Sequence, residues 1–342
     1  MPIDCAYVHV VNMKYYCIAG AFIVLCYLLF HPVHVGSYVR LDSDGLASNA
    51  GVYRKQAYPK YTKDVIVMVA NYGVLDFIVN WMCSYDTSNV KFVVVSLDEK
   101  LHDHIQKYTK VTSIDGSRFN ASAGSNTSNF MTCEFNTISH MTVKCIHGIL
   151  SEGYNVFFTD VDVAWLRDPI PYFQRDVDFE FQSENYNLEV GKINTGFYYA
   201  RSNARSIAFM EDVVQYTAMH PEQHNQQRIS DKITTMEKRG KAVFVLPNST
   251  SVAEDILTFR QLSPMLFATG CRFFKEGYFK RMSEAGLPPV VMHFNCIGKA
   301  DKKRERMKSY GMWRVAKSEV SCSGSDNCYG QVGEQWLSCT EH

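Results

Sequence analysis

The stretch Asn155-Val-Phe-Phe-Thr-Asp160-Val-Asp162-Val-Ala-Trp165-Leu-Arg-Asp-Pro169 decides the fold of this chain. It opens with an apolar run typical of a buried strand and ends in an Asp-Pro turn. Because side chains alternate along a strand, Asp160 and Asp162 would lie on one side if the extended conformation continued through them. Paired carboxylates repel each other, and a hard cation with oxygen ligands relieves that repulsion. The stretch therefore predicts a metal site at the carboxyl end of a strand, where α/β sheets bind ligands.

Three other interpretations of the Asp-x-Asp pair compete with a general metal site. The first is a strand end with two solvated aspartates, which the apolar Trp165 and Leu166 behind the pair make less favourable. The second is a phosphohydrolase of the haloacid-dehalogenase type, in which Asp160 would be the nucleophile. The third is the metal-binding Asp-x-Asp of nucleotide-sugar glycosyltransferases.

The composition is that of a globular protein without a nucleic-acid partner. The chain has 342 residues, 46% hydrophobic and 20% charged, so it can bury a sizeable core in one large domain or two ordinary ones. Its 35 Lys and Arg balance 35 Asp and Glu. No net field therefore favours nucleic acid, and no nucleic-acid-binding motif occurs.

Cysteines and sequons favour a secretory compartment. Of the 11 cysteines, three precede residue 27 and eight remain; these permit disulfides, while the lack of any Cys-x-x-Cys pair argues against structural zinc. Sequons begin at Asn120, Asn126 and Asn248, the first two in one Ser/Asn/Gly-rich loop. The cysteines that we specifically expect to be oxidised are Cys322, Cys328 and Cys339.

The segment 15–35 is predicted to be a membrane anchor. From Tyr15 to Val39 no residue carries a full charge at neutral pH, and with interfacial residues at both ends the apolar run reaches the ~20 residues that a spanning helix needs. A cleaved signal peptide and a buried core helix are the alternatives, but no clean small-residue cleavage site follows. We expect a single-pass type II protein of the Golgi membrane. Its predicted parts are a cytoplasmic tail (1–14), the anchor (15–35), a stem (36–63), a luminal folded domain (64–315) and a Cys-rich tail (316–342).

Strand and helix patterns alternate from Asp64 onward and predict a doubly wound α/β domain, with a mainly parallel sheet and helices on both faces. No Gly-x-Gly-x-x-Gly follows the first strand, which disfavours a dinucleotide-binding fold. The predicted strands are Asp64–Ala70, Lys91–Ser96, Lys110–Ile114, the acidic stretch, Asp178–Gln182, Lys192–Ala200, Ala242–Leu246 and Pro289–Phe294. The predicted helices are Val74–Tyr85, Asp98–Tyr108, Phe135–Gly153, Ser202–Met219, Gln227–Arg239 and Lys299–Tyr310.

Several motifs occur together in this order of elements. The long acidic tract, residues 153–169, is the specific one. The shorter pieces are Val69-Ala-Asn71-Tyr72, Lys144, Ile193-Asn194-Thr-Gly196-Phe, His293-x-Asn295, Gly298 and Lys302-Lys303. In content and order they resemble the nucleotide-diphospho-sugar transferases of glycosyltransferase family 77. The resemblance covers roughly Asp64 to Arg314, most of the chain.

Two departures from the family pattern concern the acceptor side and the phosphate contact. Where the family usually has an Asp-Gln pair at a helix start, this chain has Asn225-Gln226-Gln227, so the acidic member is missing. The spacing from Gly298 to the lysine pair is one residue longer, which leaves open whether Lys302 or Lys303 meets phosphate.

The resemblance implies a GT-A fold that moves a sugar from a nucleotide-sugar, a UDP-sugar above all, to a glycan or glycoprotein with retention of configuration. It also implies a divalent metal, manganese or magnesium, because a departing nucleoside diphosphate needs its charge neutralised. The implied metal ligands are Asp160, Asp162 and His293. The implied nucleotide-binding residues are Ala70, Asn71, Lys144, Asp160, Val161, Gly298 and Lys302. The implied catalytic residues are Asn194, Gln182 and Gln226.

Alternatives stay open for some of these residues and for the function. His293 could be a satisfied core histidine, and Lys302 and Lys303 could belong to a solvated basic face. A phosphohydrolase would have its Asp-x-Asp on the first strand, whereas here several elements precede it. A catalytically silent, membrane-anchored protein that binds sugar nucleotides is the remaining alternative.

Overall fold

The computed structural model describes most of the chain between residues 63 and 340. The predicted cytoplasmic tail, anchor and all of the predicted stem but residue 63 lie outside the described residues, as does the sequon at Asn248. Within the described part, every helix is too short or too polar to serve as a membrane span. The internal stretches left undescribed are 87–90, 130, 185–191, 246–251, 275–280, 282–283, 285, 320 and 323–326.

Each predicted strand and helix is present. Their ends differ from the predicted ones by at most two residues except in the acidic stretch, and the structure adds short strands that were not predicted. The strands are β1 (Asp64–Ala70), β2 (Lys91–Ser96), β3 (Thr112–Asp115), β4 (Asn155–Thr159), β5 (Val163–Trp165), β6 (Phe179–Ser183), β7 (Ile193–Ala200), β8 (Ala242–Phe244), β9 (Leu257–Gln261), β10 (Phe267–Thr269), β11 (Val291–His293), β12 (Val315–Ser318), β13 (Cys328–Val332) and β14 (Gln335–Cys339). The helices are α1 (Leu75–Ser84), α2 (Glu99–Tyr108), α3 (Cys133–Ser151), α4 (Ala204–Met219), α5 (Asn225–Lys238), the single turn α6 (Gly270–Phe273) and α7 (Ala300–Ser309).

The main sheet has eight strands in the order β3-β2-β1-β4-β7-β6-β9-β8. Neighbouring strands are parallel except around β7, which runs antiparallel to β4 and β6. On β1, Val67 packs in a core with residues of α3, α4 and α5, whereas Met68 packs on the other face with residues of α1 and α2. Helices therefore cover both faces, and the predicted doubly wound, mainly parallel α/β sheet is confirmed.

The acidic stretch leaves the sheet sooner than its sequence pattern suggests. β4 ends at Thr159, and the N–H of Asp160 donates to the carbonyl of Gly196 on β7 at 2.7 Å. The chain then turns, and the N–H of Val163 donates to the Asp160 carbonyl at 3.2 Å. The extended conformation therefore does not continue through the Asp-x-Asp pair. A turn, and not the pleat of a strand, sets the directions of the two carboxylates.

A second sheet of three strands begins where this turn ends. Its order is β10-β11-β5, with β11 parallel to β10 and antiparallel to β5. His293 is the register partner of Val163, and the N–H of Phe294 donates to the Asp162 carbonyl at 2.9 Å. This pairing brings the end of a late strand to the acidic turn.

The Cys-rich tail contains a small antiparallel sheet in the order β12-β14-β13. Cys322 forms a disulfide with Cys328, and Cys339 on β14 forms one with Cys83 on α1. The three cysteines that we expected to be oxidised are therefore all in disulfides. A further disulfide among the described cysteines joins Cys271 and Cys296.

Candidate functional site

Two aspartates and a histidine meet at the junction of the two larger sheets. Asp160 and Asp162 belong to the turn after β4, and His293 ends β11. The Nε2 atom of His293 lies 3.3 Å from Oδ1 of Asp162 and 3.9 Å from Oδ2 of Asp160. One candidate ligand atom from each residue lies within 4.8 Å of the other two. The structure thus brings together the three residues that the sequence analysis selected as metal ligands, which we call the ligand cluster.

Gly196 on β7 lets the ligand cluster pack directly against the main chain. A Cβ atom at this position would lie 2.3 Å from Cε1 and 2.9 Å from Nε2 of His293. It would also lie 2.7 Å from Oδ2 of Asp160. Any side chain at this position would overlap these atoms, so the glycine of the Asn194-Thr-Gly196 motif is what allows His293 and Asp160 to lie this close to β7.

Lys303 on α7 contributes a positive charge to the cluster. Its Nζ donates a hydrogen bond to Oδ2 of Asp162 at 2.6 Å. Lys302, the other candidate for the phosphate contact, is exposed to solvent. Lys303 and a protonated His293 together balance the charges of the two carboxylates.

The charges of the ligand cluster shift one another's pKa values. Burial opposes ionisation of Asp162, but Lys303 and His293 hold its pKa well below the ordinary value. Burial likewise opposes the charge of His293, whereas the carboxylates, Asp162 first, raise its pKa. Loss of solvation and the charge of Asp162 raise the pKa of Asp160 to about 7. Because 45% of the Asp160 side chain is exposed, loss of solvation is a weaker explanation for this raised pKa than the charge of Asp162.

Gln182 lies behind His293, with no exposed surface. Its Oε1 is 3.1 Å from Nδ1 of His293. Its Nε2 donates to the carbonyls of Phe267 at 3.2 Å and Ala268 at 3.0 Å. The family resemblance implies a catalytic role beside the sugar for this residue, and the structure places it against a candidate metal ligand.

Asn194 is buried and links β7 to the end of β6. Its Oδ1 accepts from the N–H of Gly196 at 2.9 Å, and its Nδ2 donates to Oε2 of Glu184 at 2.7 Å. Glu184 is not among the predicted site residues. What could have indicated this residue is its position directly after β6, which the antiparallel register places next to the start of β7.

The start of α5 is attached to the same strand. Oε1 of Gln226 accepts from the N–H of Thr195 at 3.3 Å, and Oγ of Ser139 on α3 accepts from the N–H of Asn225 at 2.6 Å. The Asn225-Gln226 pair therefore lies beside β7, where the family pattern has Asp-Gln. Only amides are available at these two positions, because an asparagine replaces the acidic member.

Asn71 and Lys144 contact the loop that carries the first two sequons. Nδ2 of Asn71 donates to the carbonyls of Gly124 at 2.6 Å and Asn126 at 2.7 Å. Nζ of Lys144 donates to the carbonyl of Asn120 at 3.3 Å. Because both amide protons of Asn71 are used, its Oδ1 is the atom left for the predicted contact with nucleotide.

The other predicted nucleotide-binding residues each end or follow a strand. Ala70 is buried at the end of β1, where its carbonyl accepts from the N–H of Leu97 at 2.8 Å. Val161 is half-buried in the acidic turn. Gly298 lies exposed in the loop before α7, and nothing lies within 4 Å of a Cβ added there.

A family model described as nucleotide-diphospho-sugar transferase matches residues 88–307, which is more than half of the chain. The chain belongs to the nucleotide-diphospho-sugar transferase family. This membership confirms the resemblance that the acidic tract indicates. It also favours the transferase interpretation of the Asp-x-Asp pair over the phosphohydrolase one.

Relatives within this transferase family are known from a slime mould and a plant. A UDP-galactose:fucoside alpha-3-galactosyltransferase of Dictyostelium discoideum is 25% identical over 298 residues, covering 77% of this chain and 45% of that protein. A beta-arabinofuranosyltransferase of Arabidopsis thaliana is 28% identical over 278 residues, covering 76% of this chain and 49% of that protein. The chain thus spans about half the length of these relatives. Among solved structures, the glycosyltransferase GlyE of Streptococcus pneumoniae is 14% identical, with a TM-score of 0.40 over 74% of this chain and 65% of its own. It is too distant to bear on the site.

Proposed function

We propose that this protein transfers a sugar from a nucleoside-diphosphate sugar to a glycan or glycoprotein, at a site built around Asp160, Asp162 and His293. The observation that carries the proposal is the meeting of these three side chains beside Gly196, where the lack of a side chain lets His293 and Asp160 lie against the main chain. Membership of the transferase family supports glycosyl transfer as the reaction.

The ligand cluster fits a divalent cation. Two carboxylates and one imidazole supply oxygen and nitrogen, a combination better suited to Mn²⁺ than to Mg²⁺ or Ca²⁺. The low pKa of Asp162 keeps that ligand ionised at neutral pH. When bound, the cation supplies Lewis-acid stabilisation to the departing diphosphate.

Lys303 is our proposed phosphate contact. Its ammonium lies 2.6 Å from Asp162, directly beside the ligand cluster, whereas Lys302 is exposed. Once Asp162 is engaged as a metal ligand, the ammonium is free to donate charge-assisted hydrogen bonds to phosphate oxygens. The same lysine therefore neutralises Asp162 in the free protein and the diphosphate in the complex.

The donor is proposed to be a UDP-sugar, and the configuration of the transferred sugar is proposed to be retained. The name of the Dictyostelium discoideum relative includes UDP-galactose, and retention is expected from the resemblance to family 77. Asn194 and Gln226 are our candidates for orienting the sugar. Both are hydrogen-bonded to β7 next to Gly196, so their amides are held in place beside the cluster.

We place this reaction in the Golgi lumen, with residues 15–35 as a type II membrane anchor. The uncharged apolar segment supports the anchor. Disulfides among the described cysteines, and two exposed sequons at Asn120 and Asn126, support an oxidising secretory compartment.

Release of UDP by full-length, detergent-solubilised protein with Mn²⁺ tests the proposed reaction. UDP-galactose, UDP-xylose and UDP-arabinose are the donors to compare. Asp162→Ala should slow release by about two to three decades, because losing an electrostatic contact of this kind costs about 2.7–4 kcal/mol. His293→Ala should weaken metal binding, and excess Mn²⁺ should restore part of its activity.

Lys308→Ala is the matched control, because Lys308 lies exposed on α7 and should be dispensable. Undiminished UDP release by Asp162→Ala would contradict the proposal. So would a protein that consumes phosphate esters and requires Asp160 but not His293, since that is the behaviour expected of a phosphohydrolase.

A further inference from the structure

Gln182 connects the main sheet to the histidine of the ligand cluster. It lies on β6 with no exposed surface. Its Nε2 is 3.2 Å from the Phe267 carbonyl and 3.0 Å from the Ala268 carbonyl, both on β10. Its Oε1 is 3.1 Å from Nδ1 of His293. All three neighbours belong to the small sheet in which β10 pairs with β11.

The two carbonyls fix which end of the amide faces the histidine. A backbone carbonyl oxygen only accepts hydrogen bonds, so the NH₂ group of Gln182 must point at Phe267 and Ala268. Rotating the amide by half a turn would set its oxygen against two buried carbonyl oxygens. The amide oxygen must therefore face Nδ1 of His293, because the two carbonyls hold the NH₂ group.

The Gln182 oxygen beside Nδ1 determines which imidazole nitrogen of His293 carries the proton. Because an amide oxygen cannot donate, Nδ1 of His293 must carry a proton. In the neutral ring the lone pair then belongs to Nε2. Nε2 is also the atom that faces Asp162 at 3.3 Å and Asp160 at 3.9 Å. The nitrogen that points at the carboxylates is thus the one able to bind a metal.

We infer that Gln182 is a positioning residue that keeps His293 in the tautomer and ring orientation needed to bind a divalent cation through Nε2. This inference rests on the metal-dependent function proposed above. It adds a residue that contacts neither the substrate nor the metal. Partners behind a metal-bound histidine typically contribute about 10- to 100-fold to metal affinity.

Mn²⁺ binding to the full-length, detergent-solubilised protein tests this inference without nucleotide or turnover. Gln182→Met keeps the length and burial of the side chain but cannot accept a hydrogen bond in the same way. We expect its dissociation constant, measured from the electron paramagnetic resonance of free Mn²⁺, to rise about 10- to 100-fold. The spin-echo modulation from a directly bound imidazole nitrogen should weaken as well.

A double-mutant cycle separates positioning from general damage to the fold. If Gln182 acts through His293, Gln182→Met should have no further effect on Mn²⁺ affinity in a His293→Ala background. If it only supports packing, it should weaken binding by the same factor in both backgrounds. Thermal unfolding shows whether each variant folds, and Gln182→Asn, whose amide is too short to reach Nδ1, replaces Gln182→Met if the latter does not.

Wild-type Mn²⁺ affinity in Gln182→Met, or an equal loss in both backgrounds, would overturn the inference and leave the proposed function standing. A wild-type protein that binds no Mn²⁺ would overturn both. A loss confined to the background that contains His293, together with the weaker nitrogen modulation, supports the positioning role.

Discussion

Gly196 is fixed in place by hydrogen bonds on both sides of its main chain. Its carbonyl accepts from the N–H of Asp160 at 2.7 Å, and its N–H donates to Oδ1 of Asn194 at 2.9 Å. A shift of the main chain that made room for a side chain would break one of these bonds. The ligand cluster is therefore sensitive to the smallest possible enlargement of this residue.

We expect Gly196→Ala to weaken Mn²⁺ binding and to slow UDP release by about a hundredfold, because displacing reacting groups by about 1 Å can cost that much. Calorimetric titration with Mn²⁺ and the UDP-release assay measure the two effects. Gly124→Ala is the control, since nothing lies within 4 Å of a Cβ added at Gly124. Normal Mn²⁺ affinity in Gly196→Ala would show that the close approach of His293 and Asp160 to the main chain at this position is not needed.

Lys303 competes with any cation for Asp162. Lys303→Met removes an ammonium that lies 2.6 Å from Asp162 while it keeps most of the aliphatic stem. In the absence of nucleotide we expect Mn²⁺ to bind about fivefold more tightly, equivalent to about 1 kcal/mol for a partly exposed ion pair. UDP should bind this variant more weakly when Mn²⁺ is present. Calorimetry measures both affinities, with Lys308→Met as control, and equal Mn²⁺ affinity in the two variants would exclude competition.

Asp178 directly precedes β6, at the other end of that strand from Gln182, and links β6 to α4 and β9. Its carboxylate accepts from Arg205 and Asn203 at the start of α4 and from the N–H of Thr258 on β9, at distances of 2.7–2.9 Å. Only 1% of its side chain is exposed. Burial opposes the charge, but the hydrogen bonds from Arg205, Thr258 and Asn203 lower the pKa of Asp178 below its ordinary value.

Asp178→Asn should lower the free energy of unfolding by about 2 kcal/mol near neutral pH, because it leaves buried donors unpaired. Since the folded pKa lies below the unfolded value of 3.8, the carboxylate stabilises the fold above that pH. The stabilisation is lost as the pH falls through the folded pKa. The difference between wild type and variant should therefore shrink on acidification. Urea unfolding at neutral pH and near pH 3 measures it, and a difference that grew at low pH would contradict this account.

Most strands and helices could be predicted because each carries its own apolar period. The short strands β5, β9 and β10 and the strands β12, β13 and β14 were not predicted, and neither were the contacts between distant segments. Residue type and position at a strand end predict Asp160 and Asp162 as metal ligands, and the family resemblance predicts His293. The turn that directs the two carboxylates depends on the pairing of β5 with β11, which no local pattern specifies. The family resemblance predicts a role beside the sugar for Gln182, and nothing near it in sequence indicates the β10 carbonyls. Glu184 likewise required the register of β6 on β7.

Over the whole molecule, the tail packs as part of the main body. Leu337 on β14 belongs to the same buried cluster as Trp81 on α1. Asn80 on α1 also holds the segment just before the tail: it donates to the carbonyl of Met312 at 3.0 Å and accepts from the N–H of Arg314 at 2.5 Å. The tail therefore stabilises α1, which follows directly on the β1 end of the site.

We expect expression in a eukaryotic cell to give a glycosidase-sensitive mass shift that disappears when Asn120, Asn126 and Asn248 are all changed to Gln. Asn120 and Asn126 are exposed on their loop, so the glycosylation machinery can reach them. The shift reports which side of the membrane the domain occupies, because N-glycans mark surface sites of secreted chains. Gel mobility before and after glycosidase, with carbonate extraction of membranes, provides the measurement. An unshifted protein that carbonate releases would contradict both the anchor and the luminal placement.

During synthesis, Cys83 leaves the ribosome 256 residues ahead of Cys339, its partner in the folded protein. At about 5–20 residues per second, its thiol waits roughly 13–50 s before the correct partner exists. Cys133 and Cys145, which are unpaired in the folded protein, emerge during that wait and can form a wrong bond with it. Any such bond has to be undone by thiol–disulfide exchange before Cys83 can pair with Cys339, and the rate of translation sets the earliest moment at which the α1–β14 link can close.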